Sequence, residues 1–105
     1  GGLSLTSEEQ LNQGSHQYAI SCNDPEMQSL MSTNYSWTFT ADGVVGAAGV
    51  EGGSFTRVGP NTYQNNYPST IIFTSSGFIY QTSFSETSSE GVTTTTEINC
   101  TATIQ

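Results

Sequence analysis

Few groups in this 105-residue chain are equipped for chemistry. His16 is the one histidine, and a Ser-His-Asp relay would need it near a serine and Asp24 or Asp42. No Gly-x-Ser-x-Gly elbow accompanies it. His16 shares the apolar side of an alternating run with Tyr18, which predicts a hydrogen-bonded structural histidine. Carboxylates pair at Glu8/Glu9, Asp24/Glu26 and Glu86/Glu90, and paired carboxylates are what glycoside hydrolysis uses. All three pairs fall where helix caps or turns are expected, in water, where nothing raises a pKa. Asn23-Asp24-x-Glu26 offers oxygen ligands of the kind calcium takes, but without the spaced acids and glycine of an EF-hand loop. Capping of a following helix accounts for those same residues. No catalytic residue, metal ligand or cofactor is expected.

Arg57 is the only cation, against nine carboxylates. If Ser54–Val58 is a strand, Arg57 shares a face with Phe55 and opposes Thr56 and Val58. An inward Phe55 would bring Arg57 inward too, onto a carboxylate or an anionic ligand. An outward Arg57 would instead offset part of an acidic surface. Trp37, Phe39, Phe78, Tyr80 and Phe84 are the candidate barrel lining, and with Arg57 they form the candidate ligand-binding set. Rings of this kind fill a small eight-stranded barrel. Thr94, Thr96 and Ala102 stand where larger residues could, which would leave room for a pocket with a few polar groups.

The cysteines have no metal-type spacing and are expected to pair as Cys22–Cys100. Such a bond implies an oxidising location: secreted, periplasmic or at the cell surface. The formal net charge of −8, without a single lysine, opposes binding to nucleic acid and to anionic lipid. Solubility in a salty medium is the simplest use of that charge. No apolar run reaches the ~18 residues of a membrane helix.

Behind these groups lies a period of two. In Gly91–Gln105 the even positions carry Val92, Thr94, Thr96, Ile98, Cys100, Ala102 and Ile104; the odd ones are Thr, Glu97 and Asn99. His16, Tyr18, Ile20 and Cys22 alternate likewise with Gln17, Ala19 and Ser21. This is a strand with one buried face. Only 33% of the chain is hydrophobic, but sixteen threonines favour pleated structure over a flexible linker.

Leu3–Gly14 reads as a short helix, capped through Thr6/Glu9 or Ser7/Gln10, with Leu5 stapled onto Leu11. Asp24-Pro25-Glu26 opens a second helical segment, with Met27, Leu30 and Met31 on one side. Tyr35, Trp37 and Phe39 alternate into an Ala41-Asp42-Gly43 turn. Val44–Gly53 reads as a bulged, glycine-rich loop. Strands are expected at Ser54–Val58, Thr62–Asn65, Ser69–Thr74 and Phe78–Phe84, and the polar tip Ser85–Glu90 leads to the last strand. Turn signals every 8–12 residues indicate a barrel or sandwich.

The run Tyr35-Ser-Trp-Thr-Phe-Thr-Ala-Asp-Gly43, followed by Gly53-Ser-Phe-Thr and Asn61-Thr-Tyr, resembles the meander of small secreted bacterial lipocalin-like (calycin) domains. The resemblance covers about half of the chain and lacks the Gly-x-Trp signature, since Trp37 follows Ser36. It implies topology.

The expected fold is all-β: one domain over residues 3–105, an antiparallel meander of six to eight strands forming a small closed or nearly closed barrel. A short N-terminal helix packs on it, and Cys22–Cys100 ties the first strand to the last. The leading functional expectation is a non-enzymatic binding module that takes a small apolar or extended ligand in or at the mouth of the barrel. A structural or surface-interaction domain with a filled core, showing chiefly Val44–Gly53 and Ser85–Glu90, is the alternative. A third is an inhibitor of secreted proteases presenting Gly1–Thr6. A small molecule or a protein is the expected partner, with no nucleic acid and no membrane span.

Overall fold

Alternating apolar and polar side chains can satisfy one buried face only if successive strands pair edge to edge and curl. The computed structural model describes residues 4–40, 43–45 (backbone only), 54–66 and 68–105. The expected turn at Ala41-Asp42, most of the Val44–Gly53 loop and the first three residues of Gly1–Thr6 lie outside these. Among these residues two short helices, α1 (Ser7–Asn12) and α2 (Pro25–Leu30), accompany eight strands. The strands are β1 (Gly14–Cys22), β2 (Asn34–Phe39), β3 (Gly43–Val45), β4 (Ser54–Gly59), β5 (Thr62–Gln64), β6 (Ser69–Thr74), β7 (Gly77–Thr87) and β8 (Thr93–Ile104). Each is antiparallel to the next in sequence, and β8 returns to β1, which closes the barrel.

Strand β1 makes the corner. Its first half, Gly14–Gln17, pairs with β2, and its second half, Tyr18–Cys22, pairs with β8. Cys22 and Cys100 lie opposite each other in that seam and are joined by a disulfide, the pairing expected from their alternation. The seam has no other covalent tie among the described residues, and no free cysteine remains.

The inward faces supply one aromatic cluster. Trp37, Ile71, Phe78 and Tyr80 are wholly inaccessible, with Tyr18, Tyr35, Tyr63 and Phe73 nearly so. The Tyr35 ring stacks on Trp37 at 5.5 Å, and Phe73 and Phe78 meet Trp37 edge-on at 5.3 and 5.1 Å. Edge-to-face pairs of this kind add to the gain from burying the rings. The core needs close approach elsewhere too: a Cβ on Gly77 would fall 1.9 Å from the Ala102 carbonyl oxygen, so only glycine fits.

Strands β7 and β8 outrun their neighbours. Their ladder is unbroken from Gly77↔Thr103 to Thr87↔Thr93, whereas β6 ends at Ser69↔Thr82 and β1 at Cys22↔Cys100. Beyond Thr82 the two strands form a free ribbon of five residue pairs, about 17 Å long at ~3.4 Å per residue. The molecule is correspondingly elongated, 54 × 30 × 20 Å. The first half of the expected tip, Ser85–Thr87, is therefore strand, and the chain reverses after it through Ser88–Glu90.

Candidate functional site

The helix laid against the barrel is held by polar rather than apolar groups. Thr6 caps α1, and Thr6 and Glu9 form the capping box one of the two spacings predicted. The Thr6 amide donates to Glu9 Oε1 at 2.8 Å, and the Glu9 amide donates to Thr6 Oγ1 at 3.1 Å. One turn on from the cap, Glu9 and Asn12 share the inward face, both with no exposed surface. Asn12 Nδ2 donates to the Glu8 carbonyl at 2.9 Å, and Asn12 Oδ1 accepts from the buried Tyr18 hydroxyl at 2.9 Å. Leu11 points outward, 43% exposed.

Glu9 is thus a correction to the sequence reading, which placed it in water. Its carboxylate collects donors from three elements. Arg57 on β4 binds it through both oxygens, Nε to Oε2 at 3.0 Å and a terminal nitrogen to Oε1 at 3.2 Å. Tyr63 on β5 donates its hydroxyl to Oε2. Thr6 Oγ1 in turn donates to Asn61 Oδ1, in the β4–β5 turn where Asn61 takes a positive φ of 64°. Of the alternatives weighed for Arg57, the structure shows the inward one that ends on a carboxylate.

Burial alone would push the Glu9 carboxyl up. The hydrogen bonds from Arg57, the Thr6 amide, Tyr63 and the Thr6 hydroxyl outweigh it and hold the group at about 2. The same contact raises the Arg57 guanidinium, and burial together with the Glu9 charge raises the Tyr63 phenol. Burial also takes the Tyr18 and Tyr35 phenols up to about 12. These groups are driven away from neutrality, which suits a fixed ion pair rather than proton transfer. His16 Nε2 lies 2.9 Å from the Gln13 carbonyl oxygen, and Asp24 caps α2 through the Met27 amide at 2.9 Å.

The six ligand-binding candidates do not form one site. Trp37, Phe39, Phe78 and Tyr80 sit within the core cluster, and Arg57 lies beneath α1. Phe84 is elsewhere: it points to the same side as Phe78 and Tyr80, but on the ribbon, where it is 44% exposed. Thr94 and Thr96, expected to leave space inside, also belong to the ribbon, and only Ala102 lies in the barrel wall. A water-sized sphere touches no part of Trp37, Phe78 or Tyr80, so no void of that size borders them. The Trp37 Nε1 donor has no partner among the described residues, so a buried polar group there is left unsatisfied.

Clefts lie on the outer surface. One of about 280 Å³ opens at the root of the ribbon, lined by Pro68, Thr70, Gln81, Ser83, Glu97 and Asn99 among others. The ribbon itself carries Glu86, Glu90 and Glu97, with no basic residue. Its outer face is a ladder of hydroxyls, Ser85 to Thr95 at 2.9 Å and Thr87 to Thr93 at 3.0 Å. The alternation of β7 and β8 put Phe84 and Thr96 on the strand face that turns inward within the barrel. It could not tell that the barrel stops short of them, because that depends on where β6 and β1 end.

No family model, curated protein or solved structure matches the chain. The resemblance to lipocalin-like domains therefore stands on an antiparallel barrel alone. Among the described residues no helix is long and apolar enough to cross a membrane. The disulfide is consistent with an extracellular or periplasmic protein.

Proposed function

We propose that this is a secreted or periplasmic surface-interaction domain, in which a filled barrel holds out the β7–β8 ribbon as the element that meets a partner. One contrast carries the reading. Trp37, Phe78 and Tyr80, which face the interior, have no accessible surface, while Phe84, on the same strand face as Phe78 and Tyr80, stands in solvent on the ribbon. Apolar rings inside a packed barrel stabilise it by their burial. A phenylalanine left exposed on a paired ribbon adds nothing comparable to stability and suits contact with another molecule. A ligand inside the barrel would have to displace the Trp37–Phe73–Phe78 packing, which makes the interior-binding alternative the weaker one.

The test is positional. A photoreactive benzophenone side chain is introduced at Phe84, or at exposed Gln17 on the barrel wall, and irradiated in the protein's native milieu. Cross-linking is expected several-fold more from position 84 than from position 17. Equal yields from the two positions would remove the ribbon's special role.

A further inference from the structure

We propose, resting on the ribbon's contact role, that the free edge of β7 from Ser83 to Thr87 accepts an extended cationic peptide as an added antiparallel strand. Edge strands expose unpaired backbone N–H and C=O groups and are normally blunted by Lys, Pro, bulges or a covering element. Among the described residues the β7 edge has no such cover: β6 stops opposite Thr82, no proline or lysine occurs in Ser83–Thr87, and the β7–β8 ladder has no register break. The opposite edge differs. There Asn23 donates from Nδ2 to the Glu97 carbonyl at 3.1 Å and accepts the Asn99 amide at 2.8 Å, so its side chain continues β1 and closes the first edge position.

A strand added to β7 would lie in line with β6, and charge selects its composition. Its outward side chains pass the cleft at the ribbon root, where Glu97 faces Ser83; its inward ones pass Glu86. Both faces of the vacant position are therefore acidic. Neither carboxylate has a counter-charge in the chain, because Arg57 is the only cation and is bound to Glu9. A second copy of the same edge would bring Glu86 and Glu97 toward like charges, and each copy carries −8. Lys or Arg side chains placed on both faces, as in a repeat of two cations followed by two small polar residues, satisfy both. Backbone pairing would supply affinity and the carboxylates selectivity, as in other cases of strand addition.

The probe is a blocked ten-residue peptide of repeating Lys-Lys-Thr-Thr, which carries Lys on both faces, with the corresponding Glu-Glu-Thr-Thr peptide as its counterpart. Hydrogen exchange is expected to slow at least fivefold at edge-facing amides of Ser83–Thr87 when the Lys peptide is present, and not with the Glu peptide. Glu86→Gln and Glu97→Gln should each weaken binding about two- to fivefold, as expected of exposed ion pairs, and added salt should weaken it further. Both residues are exposed, so the variants should fold as the parent does, and an unchanged melting temperature verifies it. Four results would overturn the inference: no protection at the edge, equal binding of the Glu peptide, unchanged affinity in the double Gln variant, or self-association that protects the same amides. With selective cross-linking at Phe84 retained, an unprotected edge removes strand addition and leaves the contact role; unselective cross-linking removes both.

Discussion

Cys22→Ala/Cys100→Ala is expected to lose about 4–5 kcal/mol, the chain-entropy value for a bond joining residues 78 apart in sequence. The number is large because the bond spans almost the whole chain. It also sits where the barrel depends on a long-range pairing: β1 and β8 are the first and last strands, and only their ladder closes the sheet. Native stability commonly amounts to about 5–15 kcal/mol, and this core is drawn from a chain that is 33% hydrophobic. The double variant should therefore be largely unfolded in mild urea that leaves the parent intact. Equilibrium unfolding followed by Trp37 fluorescence measures the difference. A loss under 1 kcal/mol would mean that the β1–β8 ladder holds without its staple.

The second large effect belongs to the Glu9–Arg57 pair. Folded Glu9 is held at about 2 against an ordinary value of 4.5. A carboxyl lowered by folding stabilises the protein above its unfolded pKa, and that contribution is lost as the pH falls from about 4.5 toward 2. At 1.36 kcal/mol per pH unit, the loss is on the order of 3 kcal/mol. Arg57→Met leaves a buried carboxylate without its cation and should cost roughly 2–4 kcal/mol near neutral pH, below the full figure for a buried pair because Arg57 is 30% exposed. With Arg57 gone, burial raises the Glu9 carboxyl and much of the acid dependence disappears. Urea unfolding of parent and variant between pH 7 and pH 2 should thus show two curves that converge in acid. An offset that stays constant over that range would show that Arg57 acts by packing alone.

The barrel was largely legible because its strands alternate. His16–Cys22, Tyr35–Phe39 and Ser69–Thr74 show one side chain in and the next out, and the structure pairs each as a strand. The β-branched and aromatic residues that mark them are those a pleated surface accommodates. Cys22–Cys100 followed from the same alternation. Asp24, Pro25 and Glu26 gave the start of α2, since a cap, a preset φ and a first-turn acid all act locally.

Glu9 was not legible in that way. The short helix was expected to staple Leu5 onto Leu11, yet α1 directs Glu9 and Asn12 to the barrel and leaves Leu11 outside. The reason lies 48 and 54 residues away, in an arginine that needs a carboxylate and a tyrosine hydroxyl that needs an acceptor. The capping box was the available clue, because it fixed the Glu9 side chain on the Thr6 amide before any partner was known. Phe84 shows a different limit. Alternation assigns a residue to a face of a strand; whether anything covers that face depends on the lengths of other strands. The ribbon exists because β7 and β8 continue after β6 and β1 have ended.

The proposed function requires a barrel packed solid, with recognition left to its exterior. Crystals equilibrated under xenon pressure test it directly, because xenon enters dry apolar voids of modest size. No xenon is expected among Trp37, Phe73 and Phe78; an ordered xenon atom bound between those rings would show an interior with room for a ligand.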